Sequence, residues 1–351
     1  MRKLKVGYWP LSADLSAPGD RRRVAFWAAA RGHEIVLDIS KNVDVIIASE
    51  KSDFNSALFS RARAPVIFDL IDAYMCPLNE VEDFGRGLAK KITSQISGPI
   101  KPFSGHVKDF CTRVTAVVCS SQEQEEIIGG YNQNTHVILD SHEEFPLIEF
   151  SRRERTKLSE SRIFWEGQPA TIRGVKQISP ILSRLEVTNP LAIDFVTDPK
   201  YFQFLGRYLQ RDTKRLIQGD LNEFNNKVSF INWSVENVCN SALRSDIAMI
   251  PIDLSVPMQR LKPENRLLIM WRLGLPCLTS ASPAYIRVSD KANVTSACVH
   301  STDWLENFRR LIEDRHFASE EVLRGQSYIR ENHNREVLLK KWDSVVEAAL
   351  N

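Results

Sequence analysis

Residues 4–38 read LKVGYWPLSADLSAPGDRRRVAFWAAARGHEIVLD, and their punctuation sets the fold class. An apolar run from Leu4 to Tyr8 is followed by a loop from Pro10 to Gly19. Helical periodicity then spans Arg21 to Arg31, Gly32 stops it, and a second apolar run covers Glu34 to Asp38. Strand, helix and strand in that order form a βαβ unit, the connection that parallel strands require. Outward from it, Val43 to Ala48, Pro65 to Leu70 and Val114 to Cys119 are short, apolar and rich in β-branched residues, as expected of parallel strands covered on both faces. Ser120 and Ser121 precede Glu123 to Ile128, where a serine can cap the helix and early glutamates complement its positive end. Val137 to Leu139 closes this half.

From Asp140 to about Ser161 the chain turns acidic and then basic without a sustained period, and Pro146 interrupts it, which reads as an interdomain connection. The alternation then resumes with Arg162 to Trp165, a glycine-containing loop, Val175 to Leu185, Leu191 to Thr197, Tyr201 to Leu209, Val228 to Trp233, Asp246 to Pro251 and Leu275 to Thr279. A chain of 351 residues exceeds the size at which one core keeps growing. The expectation is therefore two doubly wound α/β domains, at 1–150 and 160–330. The tail from Trp304 onward is helical, and residues 331–351 are available to pack back on the first domain.

With 43% hydrophobic and 26% charged residues, the composition is that of an ordinary globular protein, and a net charge of +2 gives no reason to expect a nucleic-acid partner. Short basic runs at Arg21 to Arg23, Lys90–Lys91 and Arg152–Arg153 suit phosphates or an anionic surface, and equally suit solvated helix ends. Six scattered cysteines show no metal-ligand spacing and fit a reducing compartment. The first residues reach Gly7 and Pro10 before any long apolar segment develops, which is not a signal peptide. No apolar stretch approaches the roughly 20 residues that span a bilayer. The expected location is the cytoplasm, with any membrane contact peripheral. No solenoid repeat or low-complexity segment interrupts the chain.

The strongest local signal is Lys262-Pro-Glu-Asn-Arg266 followed by an apolar turn and a half, Gly274 and Pro276. Proline at the start and glycine beyond the end punctuate a helix from about Pro263 to Leu273. A helix N-terminus offers free N–H groups and partial positive charge to a diphosphate, and Lys262 and Arg266 add full charges there. The same spacing also describes an ordinary buried helix with a charged, capped start.

The K-x-x-N-R segment, its apolar run and G-x-P resemble the donor-site helix of GT-B glycosyltransferases, in particular the retaining group that builds bacterial polysaccharides. That resemblance implies two Rossmann-like domains facing each other across a cleft, with a C-terminal helix crossing back to the first. It also implies that Lys262, Glu264, Asn265 and Arg266 engage the diphosphate and ribose of a nucleotide sugar, with the mouth of that site facing the loop around Gly19. The chain departs from the family at Ile269, where related enzymes often carry a ribose-binding glutamate; Glu264, about one turn earlier, is the candidate substitute.

Weaker matches follow in the order this fold requires. Ser16 to Arg21, with Gly19 and Arg21, resembles the first loop of the N-terminal domain; a glycine there permits close approach of a ligand or simply a turn. Gly167, in Trp165-Glu166-Gly167-Gln168, stands where the family faces the donor phosphates. Trp233, at the end of Val228 to Trp233, stands where the nucleotide base is held, and a buried core tryptophan is the competing reading. For proton transfer, Asp69 and Asp72 follow the strand Pro65 to Phe68. Asp72 lies near the position of a catalytic or sugar-binding histidine and could equally cap the next segment. Asp14 in the first loop is a second candidate, and His142, a lone exposed histidine at the domain junction, a third.

No zinc-protease, P-loop, G-x-S-x-G or G-x-G-x-x-G pattern occurs, and no paired carboxylates suggest a bound divalent cation. The expectation is transfer of a sugar from a nucleotide-activated donor, with no obligatory metal or cofactor, to a glycan or lipid-linked glycan. A nucleotide-sugar epimerase of the same architecture and a non-catalytic nucleotide-binding protein are the alternatives.

Overall fold

Alternation within single strands shows why each sheet of this computed structural model is covered on both faces. In the first half, Val45 and Ile47 join one buried cluster with Val6, Trp27 and Trp342, while Ile46 and Ala48 join another with Phe54, Phe68 and Phe110. The structure describes residues 2–77, 79–152, 160–188, 190–203, 209–217 and 227–351. They divide into two compact units. The first comprises Met1–Ser141, Leu261–Pro263 and His333–Asn351; the second comprises His142–Arg260 and Glu264–Asn332.

The first unit holds a six-stranded parallel sheet: β1 (Lys5–Trp9), β2 (Glu34–Val36), β3 (Val45–Ser49), β4 (Val66–Leu70), β5 (Ala116–Cys119) and β6 (Thr135–Val137), in the order β2-β1-β3-β4-β5-β6. Its helices are α1 (Ala25–Arg31), α2 (Ala57–Arg61), α3 (Glu80–Ile92), α4 (Phe103–Cys111) and α5 (Gln122–Gly129). Gly32 ends α1 in the left-handed region at φ 70°, and Ser121 caps α5 by accepting the N–H of Gln124. The helix expected from Arg21 opens differently: Asp20–Val24 is a wide π-type turn, with Ala25 N donating to Asp20 O. The C-terminal helix Arg335–Leu350 also packs in this unit. Trp342 stacks on Trp27 with centroids 6.0 Å apart, and Asp343 accepts from Trp27 Nε1 at 2.8 Å and from Arg31 Nε at 3.0 Å.

The second unit holds β7 (Ser161–Glu166), β8 (Leu191–Val196), a β9 (Lys200–Gln203) and β10 (Leu209–Asp212) hairpin, β11 (Val228–Ile231), β12 (Ile247–Ile250), β13 (Cys277–Ser280) and β14 (Ala297–Cys298). Its helices are α6 (Val175–Thr188), α7 (Val235–Leu243), α8 (Pro257–Arg260), α9 (Asn265–Arg272), α10 (Pro283–Ala292), α11 (Ser301–Glu313) and α12 (Arg315–Asn332). Its main sheet is parallel, in the order β11-β8-β7-β12-β13-β14. The Tyr201 to Leu209 pattern is not one continuous element: its ends lie on the antiparallel strands β9 and β10, and 204–208 fall outside the described residues. The side chains of Arg152 and Arg153 also lie outside them.

Residues 142–152 go with the second unit, and the contacts explain why. Ile148 N donates to Arg272 O at 2.7 Å, Arg272 Nε donates to Phe145 O at 2.9 Å, and Gln326 Nε2 donates to both Ile148 O and Trp271 O. The turn between β7 and α6 is fixed by close approach: a Cβ on Gly174 would stand 2.2 Å from Pro251 O, at the end of β12. Backbone on backbone leaves nothing to rotate away. Gly174→Ala should therefore lower stability by about 3 kcal/mol in equilibrium urea unfolding, the upper end of ordinary overpacking costs; a change below about 0.5 kcal/mol would show that the turn yields.

Candidate functional site

In the second unit the strands, counted from β7, stand third, second, first, fourth, fifth and sixth, omitting the β9–β10 hairpin. The chain leaves β7 toward one edge and returns through β12 toward the other. Such a reversal of strand order marks the carboxyl ends of these two central strands as the place where open α/β sheets bind ligands. Glu166, the last residue of β7, sits there and is buried.

Arg266, in the first turn of α9, reaches this point. Its Nη2 donates to Glu166 O, its Nε lies 3.8 Å from Glu166 Oε2, and its guanidinium sits 5.0 Å from the centroid of the buried Trp165 ring. The absent side chain of Gly167 leaves room for this placement, since a Cβ there would stand 2.9 Å from Thr171 Oγ1 and 3.1 Å from both Arg266 Cζ and Nη2, and these side chains would have to shift. Trp233, in the loop after β11, donates its indole N–H to Glu166 Oε1 at 2.8 Å and is half-buried. The structure thus gathers Gly167, Trp233 and Arg266 at one strand end, around a carboxylate that the sequence reading quoted without assigning it a role. Its position between an apolar run ending at Trp165 and a glycine was the available signal.

The other residues of the donor motif are placed differently. Glu264 is the N-cap residue of α9 and is buried, its carboxylate 4.0 Å from Arg287. That inward setting runs against its use as a freely offered ribose ligand. Asn265 is half-buried, and its Oδ1 is enclosed without a hydrogen bond. Ile269 lies in the interior. Lys262 belongs to the first unit, where its Nζ is 3.2 Å from Asp72 Oδ1.

Two charged clusters occupy the carboxyl ends of the first unit's strands. In one, Asp20 accepts Tyr8 Oη at 2.6 Å and the backbone N–H groups of Leu11 and Ser12 at 2.8 and 2.9 Å, holding the first loop closed. Gly19 fits beneath that loop, because a Cβ would meet Leu11 and Ile71 side chains at 2.4 and 2.5 Å; its smallness serves internal packing. Arg21 donates to Ser16 O at 2.8 Å, and Asp14 is exposed and turned back on Ser16 N and Oγ. Arg23, far from being a solvated member of a basic run, is fully buried: it pairs with Asp69 at 2.6 Å and Asp140 at 3.3 Å and donates to Ile138 O. Asp69 therefore lies within β4 as a structural partner, not in the loop after it.

The second cluster centres on Glu50, just after β3. It is buried, its Oε2 accepts Asp72 N at 3.3 Å, and Tyr74 bonds to its carboxylate. Burial, and next the charge of Asp72, push the Glu50 carboxyl up to about 8. Lys51 and Asp69 also act on it, in opposite directions, and Lys90 of α3 is pushed down to about 8 by burial and by the neighbouring Lys51 and Arg86. Asp72 is thus brought together with Lys262 and Glu50. His142 is corrected: it is buried, 1% exposed, as the first residue of the second unit, and its carbonyl accepts Phe145 N in a turn.

No family profile matches this chain, and no curated protein matches it in sequence. Solved structures do match in fold. TarM superposes with a TM-score of 0.60 at 10% identity, over 86% of this chain and 54% of its own, so the chain spans about half of that protein. An α-glucosyltransferase in complex with UDP gives 0.59 at 8% identity, covering 98% of this chain and all of its own. WaaG, a glycosyltransferase involved in lipopolysaccharide biosynthesis, gives 0.54 at 12% identity over 97% and 98%. The chain has the GT-B fold.

Among the described residues of this GT-B chain, no group of three or more His, Cys, Asp or Glu side chains could hold a metal ion, and no helix is long and apolar enough to cross a membrane. The raised Glu50 carboxyl gives a pH signature. Its folded value lies above the unfolded one, so its contribution to stability is complete in acid and is lost as pH rises through about 8. Compared with Glu50→Gln, which cannot ionise, the wild-type protein should lose stability from about pH 5 to pH 8, at up to about 1.4 kcal/mol per pH unit. Parallel stability profiles in urea unfolding over that range would contradict the buried ionisation.

Proposed function

We propose that this protein is a glycosyltransferase whose second unit binds a nucleoside-diphosphate sugar at the carboxyl ends of β7 and β12. The observation that carries the reading is the guanidinium of Arg266, laid across Gly167 at the strand end where this sheet's order reverses. A fixed cation there meets the charge that develops on a departing diphosphate, which is how a transferase without a bound metal stabilises its leaving group. Solved structures of this fold support the ligand class: one is described with UDP and glucose, another with ADP and acarbose.

In such a transfer the acceptor hydroxyl oxygen bonds to the anomeric carbon, the bond from that carbon to the diphosphate oxygen breaks, and the hydroxyl proton must go to a base or to the leaving phosphate. Lys262 and Asn265 are proposed as further donor ligands, and Asp72 of the first unit, beside Lys262, as the group that receives or orients the acceptor hydroxyl. Asp14 and His142, one turned onto its own loop and the other buried, are the weaker candidates for that role. The proposed acceptor is a glycan or lipid-linked glycan of a surface polysaccharide, reached from the cytoplasm and at most peripherally on a membrane. The chain's likeness in fold to a lipopolysaccharide glycosyltransferase supports this.

A thermal-shift panel of UDP, GDP, ADP, TDP and CMP tests the site, because a ligand that binds only the folded state raises the melting temperature. At least one should stabilise the protein, and Arg266→Ala should weaken that nucleotide about tenfold or more, the loss expected for a charge-assisted contact. Silence across the panel, or unchanged affinity in the variant, would overturn the reading. Nucleotide-sugar turnover should also require an added acceptor; epimerised product without one would favour the alternative enzyme.

A further inference from the structure

Glu166 is an odd residue to find at a site for two phosphates. A carboxylate facing them would repel them unless its charge were already committed. In this protein both oxygens are faced: Oε1 accepts the indole N–H of Trp233 at 2.8 Å, and Oε2, buried without a hydrogen bond, lies at the ion-pair distance of 3.8 Å from Arg266 Nε. The same residue's backbone carbonyl accepts Arg266 Nη2. Trp233 arrives on the loop between β11 and α7 and Arg266 on the first turn of α9, so a single strand-end residue joins two separately delivered groups. Among the described residues Arg266 Nε is enclosed and makes no hydrogen bond, so its contact with Glu166 is an ion pair only.

We propose that Glu166 is a positioning residue that makes recognition of the base and recognition of the phosphates one event. Its carboxylate sets the plane of Trp233, against which a flat nucleobase stacks. It also holds Arg266 in place, where a diphosphate shares the guanidinium. The ligand class is a nucleoside diphosphate whose base lies on Trp233, and the inference rests on the donor-site reading given above. A phosphate that shares the Arg266 guanidinium where it lies alters what Glu166 offers Trp233, and a base pressed on Trp233 alters what Glu166 offers Arg266. Two contacts with independent anchors would not communicate in this way.

Calorimetry of the full-length protein with a nucleoside and with its diphosphate, the base being the one that gives the largest thermal shift, tests the coupling. The variants are Trp233→Phe, Arg266→Lys, their double variant and Glu166→Gln, which keeps an acceptor oxygen for the indole and loses the charge. For the wild-type background, the double variant should lose at least threefold less diphosphate affinity than the product of the single losses. In the Glu166→Gln background that shortfall should fall below twofold. Glu166→Gln alone should leave nucleoside affinity within twofold and raise diphosphate affinity severalfold, a split that a merely structural role would not produce. Multiplicative losses in the wild-type background, or equal changes for nucleoside and diphosphate in Glu166→Gln, overturn the inference and leave the donor site standing. Wild-type protein that binds no nucleotide overturns both.

Discussion

A guanidinium resting where a side chain is missing organises the second unit's strand end. Gly167 has no Cβ, so Arg266 can lie against the backbone after β7, and once there it is held by the carbonyl and carboxylate of Glu166 and by the ring of Trp165. Each hold is modest in isolation, because ion pairs and cation–π contacts are offset by desolvation and by lost side-chain freedom. Together they leave a long, rotamer-rich side chain in one place. Preorganisation of that kind matters more to catalysis than the presence of positive charge, since a cation that must be gathered during the reaction returns less stabilisation.

The first unit uses charge for the opposite end. Arg23, Asp69 and Asp140 are buried where β1, β4 and the segment after β6 converge, and Asp20 ties Tyr8 to the first loop. Removing either partner of the Arg23–Asp69 pair would strand a charge in the interior, so the cluster acts as a demand for one specific arrangement of these strands. Its neighbour Glu50 is not neutralised in this way; it stays near Asp72 and Tyr74 with a carboxyl that prefers its proton. Burial raises both carboxyls, and at Asp69 the Arg23 guanidinium opposes that rise.

What could be read from the sequence follows from which properties are local. The βαβ opening, the stop at Gly32, the Ser121 cap and the α9 helix rest on residue-by-residue preferences, and each appears within a residue or two of its expected place. The sheet order was not legible, because it depends on which strands meet rather than on what each contains. For the same reason Arg23 read as one of a basic run, Asp69 as a loop acid and His142 as an exposed histidine: burial of a polar residue is decided by partners far away in the chain. Gly167 and Trp233 were singled out by the family resemblance, and Arg266 also by its place at a helix start, whereas Glu166 has no local signal because its role depends on two partners brought from distant parts of the chain.

The wide turn at Asp20–Val24 carries a consequence for tracing the ancestry of this chain. One turn that closes a residue late shifts the inward face of everything after it by a single position, while Asp20 keeps its grip on the loop before it. A homologue with an ordinary first turn would match this protein on either side of that point but not through it without a one-residue gap. Kinship recorded in the backbone can thus fade from sequence alignment while the fold remains unchanged.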